Sequence, residues 1–172
     1  VENITNSLSK IAENYHNRYG GTVKFGLSSP GYNILCKKSS ADTSGRRKGM
    51  PYNTHISCLD AAYTEVINFA AQLDYKHQRF NGNVVDFFIA PLFLEKNRDK
   101  FVLFMNESIK IGFFQMQMNV MDSGTLIDAR KHPERYAGLI VRVWGFSAYY
   151  NDLPESYKEL LIERALAAER VA

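Results

Sequence analysis

The sequence predicts a mixed α/β fold in which helices alternate with strands. Three stretches carry that expectation. Val84-Val85-Asp86-Phe87-Phe88-Ile89 is a nearly continuous apolar run, the pattern of a strand covered on both faces. Between Gly112 and Val120, Phe114, Met116, Met118 and Val120 alternate strictly with Gln115, Gln117 and Asn119, the period of a strand with two unlike faces. Around and between these runs, apolar residues recur at helical spacing.

The elements follow in order. Ile4, Leu8, Ile11 and Tyr15 predict a first helix with an apolar stripe, ended by Gly20-Gly21. Thr22 to Leu27 is a short strand candidate, broken by Ser28-Ser29-Pro30-Gly31. Asn33 to Tyr52 reads as a long surface loop, a class that is often functional. A second helix is expected from about Asp60 to Leu73, with Ala62, Val66, Phe69, Ala70 and Leu73 inward. Arg79 to Asn83 is a turn before the strand 84–89. Asp86 inside that strand needs a partner or a polar cavity, so a structural hydrogen-bond role and a catalytic one are both open. Pro91 ends the strand, and a third helix is expected from about Leu94 to Lys110, with Phe101, Phe104 and Met105 inward. The amide face Gln115, Gln117 and Asn119 fits either a polar barrel interior or the wet face of an edge strand. Asp122 or Ser123 caps a short helix running to about Lys131, ended by His132-Pro133. Leu139 to Val143 is the last strand. A final helix is expected from Asp152, with Glu155 in a capping-box-like position and Tyr157, Leu160, Leu161, Ala165 and Ala168 as its stripe.

A length of 172 residues fits one domain, and 45% hydrophobic residues with 13% aromatics are enough for a core. The net charge of +3 is scattered. The one basic run, Gly45-Arg46-Arg47-Lys48-Gly49, reads as a solvated turn, so no nucleic-acid partner is expected. No apolar stretch is long enough to cross a membrane, and no signal-peptide order is visible at the N-terminus. The two cysteines, Cys36 and Cys58, form neither a disulfide framework nor a metal pattern, so no metal site and a cytoplasmic setting are the expectations. The chain begins with Val1, and a trimmed chain and a fragment of a longer one are both open.

Between Leu139-Ile140-Val141 and Asp152-Leu153-Pro154 lies Arg142-Val143-Trp144-Gly145-Phe146-Ser147-Ala148. Glycine in a strand usually marks a bend or a close backbone approach. Here its neighbours resemble the signature of the glycyl radical enzymes, which runs Arg-Val-x-Gly, then Tyr or Phe, then a small polar residue. The resemblance extends upstream through Gln115-Met116-Gln117-Met118-Asn119-Val120, Asp122, Thr125-Leu126, Ala129, Pro133-Glu134 and Tyr136, and covers about Gly112 to Arg164 firmly. Gly45 to Gly49 resembles a glycine-arginine turn of the same family.

The resemblance implies a single glycyl-radical domain over 1–172, with a radical loop at about 142–150 and a C-terminal helix at about 153–170. It would be the C-terminal part of a ten-stranded α/β barrel. Gly145 is the implied radical carrier. Arg142, Val143, Trp144, Phe146 and Ser147 would support its loop; Arg142 by hydrogen bonds, Val143, Trp144 and Phe146 by packing that excludes water and oxygen. Phe25, Gln115, Gln117 and Asn119 are candidates to line the cavity. No cofactor is bound in such a chain. A radical S-adenosylmethionine activase with a [4Fe-4S] cluster would remove a hydrogen atom from the glycine Cα, and the radical would then generate a thiyl radical on a cysteine that acts on a small-molecule substrate.

The sequence departs from the family in one respect. The eliminase-type members carry a Cys-x-Glu loop well before the glycine, and neither Cys36-Lys37-Lys38 nor Cys58-Leu59-Asp60 matches it. The expectation is therefore the small, radical-bearing subunit of a split anaerobic lyase-like or decarboxylase-like enzyme. A large partner chain would supply the Cys-x-Glu loop and complete the barrel. The alternatives are a spare part that restores an oxygen-cleaved pyruvate formate-lyase-like enzyme, and a non-catalytic α/β interaction module.

Overall fold

From the N-terminus the chain forms α1 (Glu2–Ala12), α2 (Tyr63–Ala71), β1 (Val84–Ile89), α3 (Pro91–Lys96), α4 (Arg98–Ile111), β2 (Gln115–Val120), α5 (Ser123–Lys131), β3 (Ile140–Val143), β4 (Phe146–Tyr149) and α6 (Glu155–Val171). Short 3₁₀ turns occupy Pro133–Tyr136 and Tyr150–Asp152. This computed structural model describes residues 2–27, 38–43, 46–49, 55–56, 61–73, 84–113, 115–143 and 145–171. The turn at Arg79 to Asn83, Cys36, Cys58, Phe114, Trp144 and much of the 33–52 loop lie outside the described residues.

Strand β1 is buried along its whole length because both of its faces are covered. Val85, Phe87 and Ile89 point into a cluster with Ile56, Val66, Ile67, Ala70 and Leu73, while Phe88 joins a second cluster with Leu126, Val141, Val143, Tyr150, Leu160, Leu161 and Ala165. The continuous apolar run is thus two alternating half-sets, each meeting its own layer. β2 lies parallel to β1, from Val84↔Gln115 to Ile89↔Val120. Parallel neighbours need a crossover connection, and α3 with α4 supplies it. One layer holds α2 to α4; the other holds α5, α6 and the β3–β4 pair, with β1–β2 between them.

Several expected boundaries shift, each for a local reason. The third helix breaks at Asn97, whose backbone leaves helical angles (φ −129°, ψ 32°) while its N–H and side-chain amide both donate to the Phe93 carbonyl. The second helix starts at Tyr63, with Glu65 folded back to accept the Ala62 N–H at 3.0 Å. Asp152 does not start the last helix. It closes a 3₁₀ turn, and the Pro154 carbonyl accepts the first helical N–H groups, from Tyr157 and Lys158. The expected strand Thr22 to Leu27 reduces to one bridge between His16 and Thr22. In α1 the expected stripe faces out: Ile4 is 65% exposed, with Leu8 and Ile11 also exposed, and the buried pair is Thr5 and Ser9; the helix ends at Ala12, so Tyr15, also exposed, lies beyond it. Arg46 is not a solvated turn residue. Its side chain is 10% exposed, holds Asp42 at 2.9 Å and also donates to the Ser40 carbonyl.

Candidate functional site

Strands β3 and β4 form an antiparallel hairpin, Ile140↔Tyr149 through Val143↔Phe146, so residues 144 and 145 are its two-residue connection. Such tight connections favour residues with positive φ, and Gly145 has φ +106°. Among the described residues, and leaving out its chain neighbours, a Cβ built on Gly145 would meet no atom within 4 Å. Glycine is therefore favoured here by the backbone angle and not by crowding. The tip stands open: Gly145 is exposed and Phe146 is 54% exposed. The base is anchored, since Val141 and Val143 are buried beside Tyr150.

The Tyr150 N–H donates to the Leu139 carbonyl at 2.8 Å. This sets the phase of the ladder. Val141↔Ala148 and Val143↔Phe146 are the hydrogen-bonded pairs, and Arg142↔Ser147 is a non-hydrogen-bonded pair whose backbone groups point away from the partner strand. On the β3 side those groups meet Asn119 of β2. Asn119 Oδ1 accepts the Arg142 N–H at 2.9 Å, and Asn119 Nδ2 donates to the Arg142 carbonyl at 3.0 Å. The Arg142 guanidinium makes longer contacts of 3.4 Å, Nε to Gln117 Oε1 and Nη1 to Ser147 Oγ. Gln117 and Asn119 are buried, so the amide face of β2 is turned onto the hairpin. β1–β2 and β3–β4 are separate two-stranded sheets, and these side chains link them.

The layer behind the hairpin is held by polar contacts of its own. Tyr150 is fully buried and its hydroxyl donates to the Leu126 carbonyl at 3.0 Å; burial pushes its pKa up to about 12. Asp122 caps α5, accepting the Thr125 N–H at 2.6 Å and its hydroxyl at 2.8 Å. Burial would raise its pKa, but these hydrogen bonds outweigh it and hold the carboxyl below its usual value. Glu169 of α6 accepts the Ser123 N–H and hydroxyl at 2.6 and 2.8 Å, tying α6 to the start of α5. Arg164 of α6 pairs with Asp86 of β1 at 2.6 Å and lies over the Phe88 ring at 4.9 Å.

This hairpin falls inside a match to a known family. The family model described as Glycine radical matches residues 47–151. The chain belongs to that family. This glycyl radical chain is 39% identical over 70 residues to isethionate sulfite-lyase of Desulfovibrio desulfuricans, covering 41% of this chain and 8% of that protein. It is 31% identical over 132 residues to trans-4-hydroxy-L-proline dehydratase of Clostridioides difficile, covering 76% of this chain and 16% of that one. Among solved structures, a glycyl radical enzyme from Archaeoglobus fulgidus superposes with a TM-score of 0.77 at 27% identity, over 95% of this chain and 22% of that one. The glycyl radical chain thus spans less than a quarter of the length of each. Its α/β arrangement is that of part of a glycyl radical enzyme barrel.

Of the residues singled out in the sequence of this glycyl radical protein, Arg142, Ser147, Gln117 and Asn119 converge at the hairpin that carries Gly145. Gln115 is exposed at the far end of β2, opposite Val84, and Phe25 packs on the cluster of Ile56 and Phe87, away from Gly145. Trp144 is outside the described residues. Among the described residues no group of His, Cys, Asp and Glu is placed to hold a metal, and no helix is long and apolar enough to cross a membrane. The sequence reading missed Arg164 and Tyr150. Arg164 sits four residues from both Leu160 and Ala168, on the apolar stripe, and that spacing was the available signal.

Proposed function

We propose that this chain stores an organic radical on Gly145 for a lyase-type glycyl radical enzyme. The observation that carries the reading is Gly145 itself, at φ +106° on the open tip of a hairpin anchored by Val141, Val143 and Asn119. A glycine Cα has no side chain to clash when it flattens, and both flanking amides can delocalise the unpaired electron. An open tip also suits both steps expected of such a residue. A radical S-adenosylmethionine activase removes a hydrogen atom from the Gly145 Cα. The glycyl radical later takes a hydrogen atom from a cysteine: the S–H bond breaks, the Cα–H bond re-forms, and a thiyl radical remains to attack substrate.

That cysteine lies in a Cys-x-Glu loop outside this sequence, which we assign to a large partner subunit. Neither Cys36 nor Cys58 has that context, and the exposed Gly145 and Phe146 need a cover that excludes water and oxygen. The protein's share of the chemistry is to hold the reacting atoms close and dry. Relatives named as a sulfite-lyase and a dehydratase support cleavage of a C–S or C–O bond in a small polar substrate.

Electron paramagnetic resonance after anaerobic treatment with activase and S-adenosylmethionine tests the radical site. The expected result is a doublet from the Gly145 α-hydrogen, absent in Gly145→Ala, with air then cutting the chain at or next to Gly145. An unchanged signal in Gly145→Ala overturns the assignment. An immunoblot of the native source tests the arrangement. A band of this chain's mass co-purifying with a larger protein supports the split enzyme; a single band several times larger overturns that part and leaves Gly145 standing.

A further inference from the structure

We propose that Asn119 is the positioning residue of the Gly145 hairpin, acting as a one-residue substitute for a neighbouring strand. The proposal deepens the reading of Gly145 as the radical site and rests on it only for its functional half.

The argument starts from the ladder. A non-hydrogen-bonded residue at a strand edge presents one N–H and one C=O outward. On β3 Ile140 and Arg142 are such residues, and Arg142 is the one two positions from the connection that holds Gly145. A carboxamide is the side chain that offers one acceptor and one donor in the geometry of a peptide group, and Asn119 places its oxygen 2.9 Å from the Arg142 nitrogen and its nitrogen 3.0 Å from the Arg142 oxygen. Asn119 is 4% exposed, so water does not compete for those groups. Its own strand is paired along its length with buried β1. The hairpin is thus referenced, through the Asn119 side chain, to the most buried of the described strands. The alternative brace, the Arg142 guanidinium, reaches Gln117 and Ser147 only at 3.4 Å, where hydrogen bonds are weak.

Two properties follow. Arg142's N–H should be protected although it has no strand partner on that side. The tip should also lose its fixed placement when the amide is changed, while the two clusters behind it stay packed.

The test is amide hydrogen exchange on the full chain, resolved to single residues, together with the radical signal after activation. In wild type the Arg142 N–H is expected to exchange as slowly as the ladder-bonded Val143 N–H; fast exchange at Arg142 in wild type overturns the proposal without any variant. Asn119→Asp keeps the acceptor and loses the donor, and Asn119→Leu keeps the volume and loses both. Exchange at Arg142 is expected to rise only modestly in the first, where its N–H keeps an acceptor and the bond to its carbonyl is lost, and about tenfold in the second, where the N–H itself loses a hydrogen bond. Gln117→Met should leave it unchanged. The radical yield should fall in the same order, with a changed hyperfine splitting in Asn119→Asp, a signature that a merely looser core would not give. A full-yield, unaltered doublet in both Asn119 variants overturns the positioning role. No signal in wild type overturns the Gly145 reading instead, and the exchange data then decide the amide clamp alone.

Discussion

Arg164 grips Asp86 at two points: Nη1 donates to the carboxylate at 2.6 Å and Nη2 to the backbone carbonyl at 3.1 Å. The side chains are 6% and 0% exposed. A buried pair of this kind is costly to break from one side, because the remaining charge has no water to turn to. Arg164→Ala should therefore destabilise the protein by about 3–5 kcal/mol. Asp86→Asn combined with Arg164→Met should cost much less than the sum of the two single changes. Denaturant unfolding of all four proteins gives the coupling directly, and additive losses would mean that the pair does not act as one unit.

Tyr150 gives an alkaline signature. Its pKa is pushed up to about 12 by burial, against an ordinary value of 10.0. The folded state therefore holds the phenolic proton more tightly than the unfolded state. The stabilisation is complete below the unfolded value and is lost as pH rises through the folded one, at up to about 1.4 kcal/mol per pH unit. Tyr150→Phe should lower stability by about 0.5–1.5 kcal/mol near neutrality, through the lost bond to the Leu126 carbonyl. It should also flatten the decline between pH 10 and 12. Urea titrations at several pH values, compared between the two proteins, measure both effects.

Asp122 gives the opposite, acidic signature. Its carboxyl is held below its usual range because the hydrogen bonds from Thr125 outweigh the effect of burial. The cap's contribution is present above the unfolded pKa and is lost as pH falls through the lower folded one. Asp122→Ala should cost about 0.5–2 kcal/mol at neutral pH. Its penalty should shrink in acid, where wild type loses the same contribution. Thermal melts at pH 7 and pH 3 decide this.

Gly145→Ala should destabilise the hairpin through its backbone angle, by about 1–2 kcal/mol, and should do so without an overpacking effect. Chemical denaturation of the variant should therefore show a lower midpoint and an unchanged slope. A larger loss with a changed slope would mean that the residue is crowded.

The parts of the fold most legible in the sequence were those where pattern and burial have one solution. β1 reads from its unbroken apolar run, β2 from its alternation, and α5 from Asp122 followed by Thr125. The words around Gly145 mark the glycine but not the hairpin, since Phe146–Tyr149 was expected as loop and is β4. The orientation of α1 did not read, because Ile4-Leu8-Ile11 and Thr5-Ser9 are both helical faces and only docking chooses between them. The break at Asn97 carries no proline or glycine to announce it. The role of Asn119 was hidden for another reason. Alternation shows that an amide lies on a face, but its partner Arg142 is 23 residues away, and only folding brings the two together.

The open space around the Gly145 Cα gives one more consequence, which concerns handedness. A positive φ of +106° is strained for an L-residue and ordinary for its mirror image, and, chain neighbours aside, no atom of the described residues stands within 4 Å of where a methyl group would project from the L-form. A D-alanine placed there by chemical ligation should restore the hairpin's stability while leaving a carbon that still carries a removable hydrogen. Glycine at this position would then be required by the chirality of the other residues, and a synthetic chain could ask how much of the spin chemistry needs an achiral carbon.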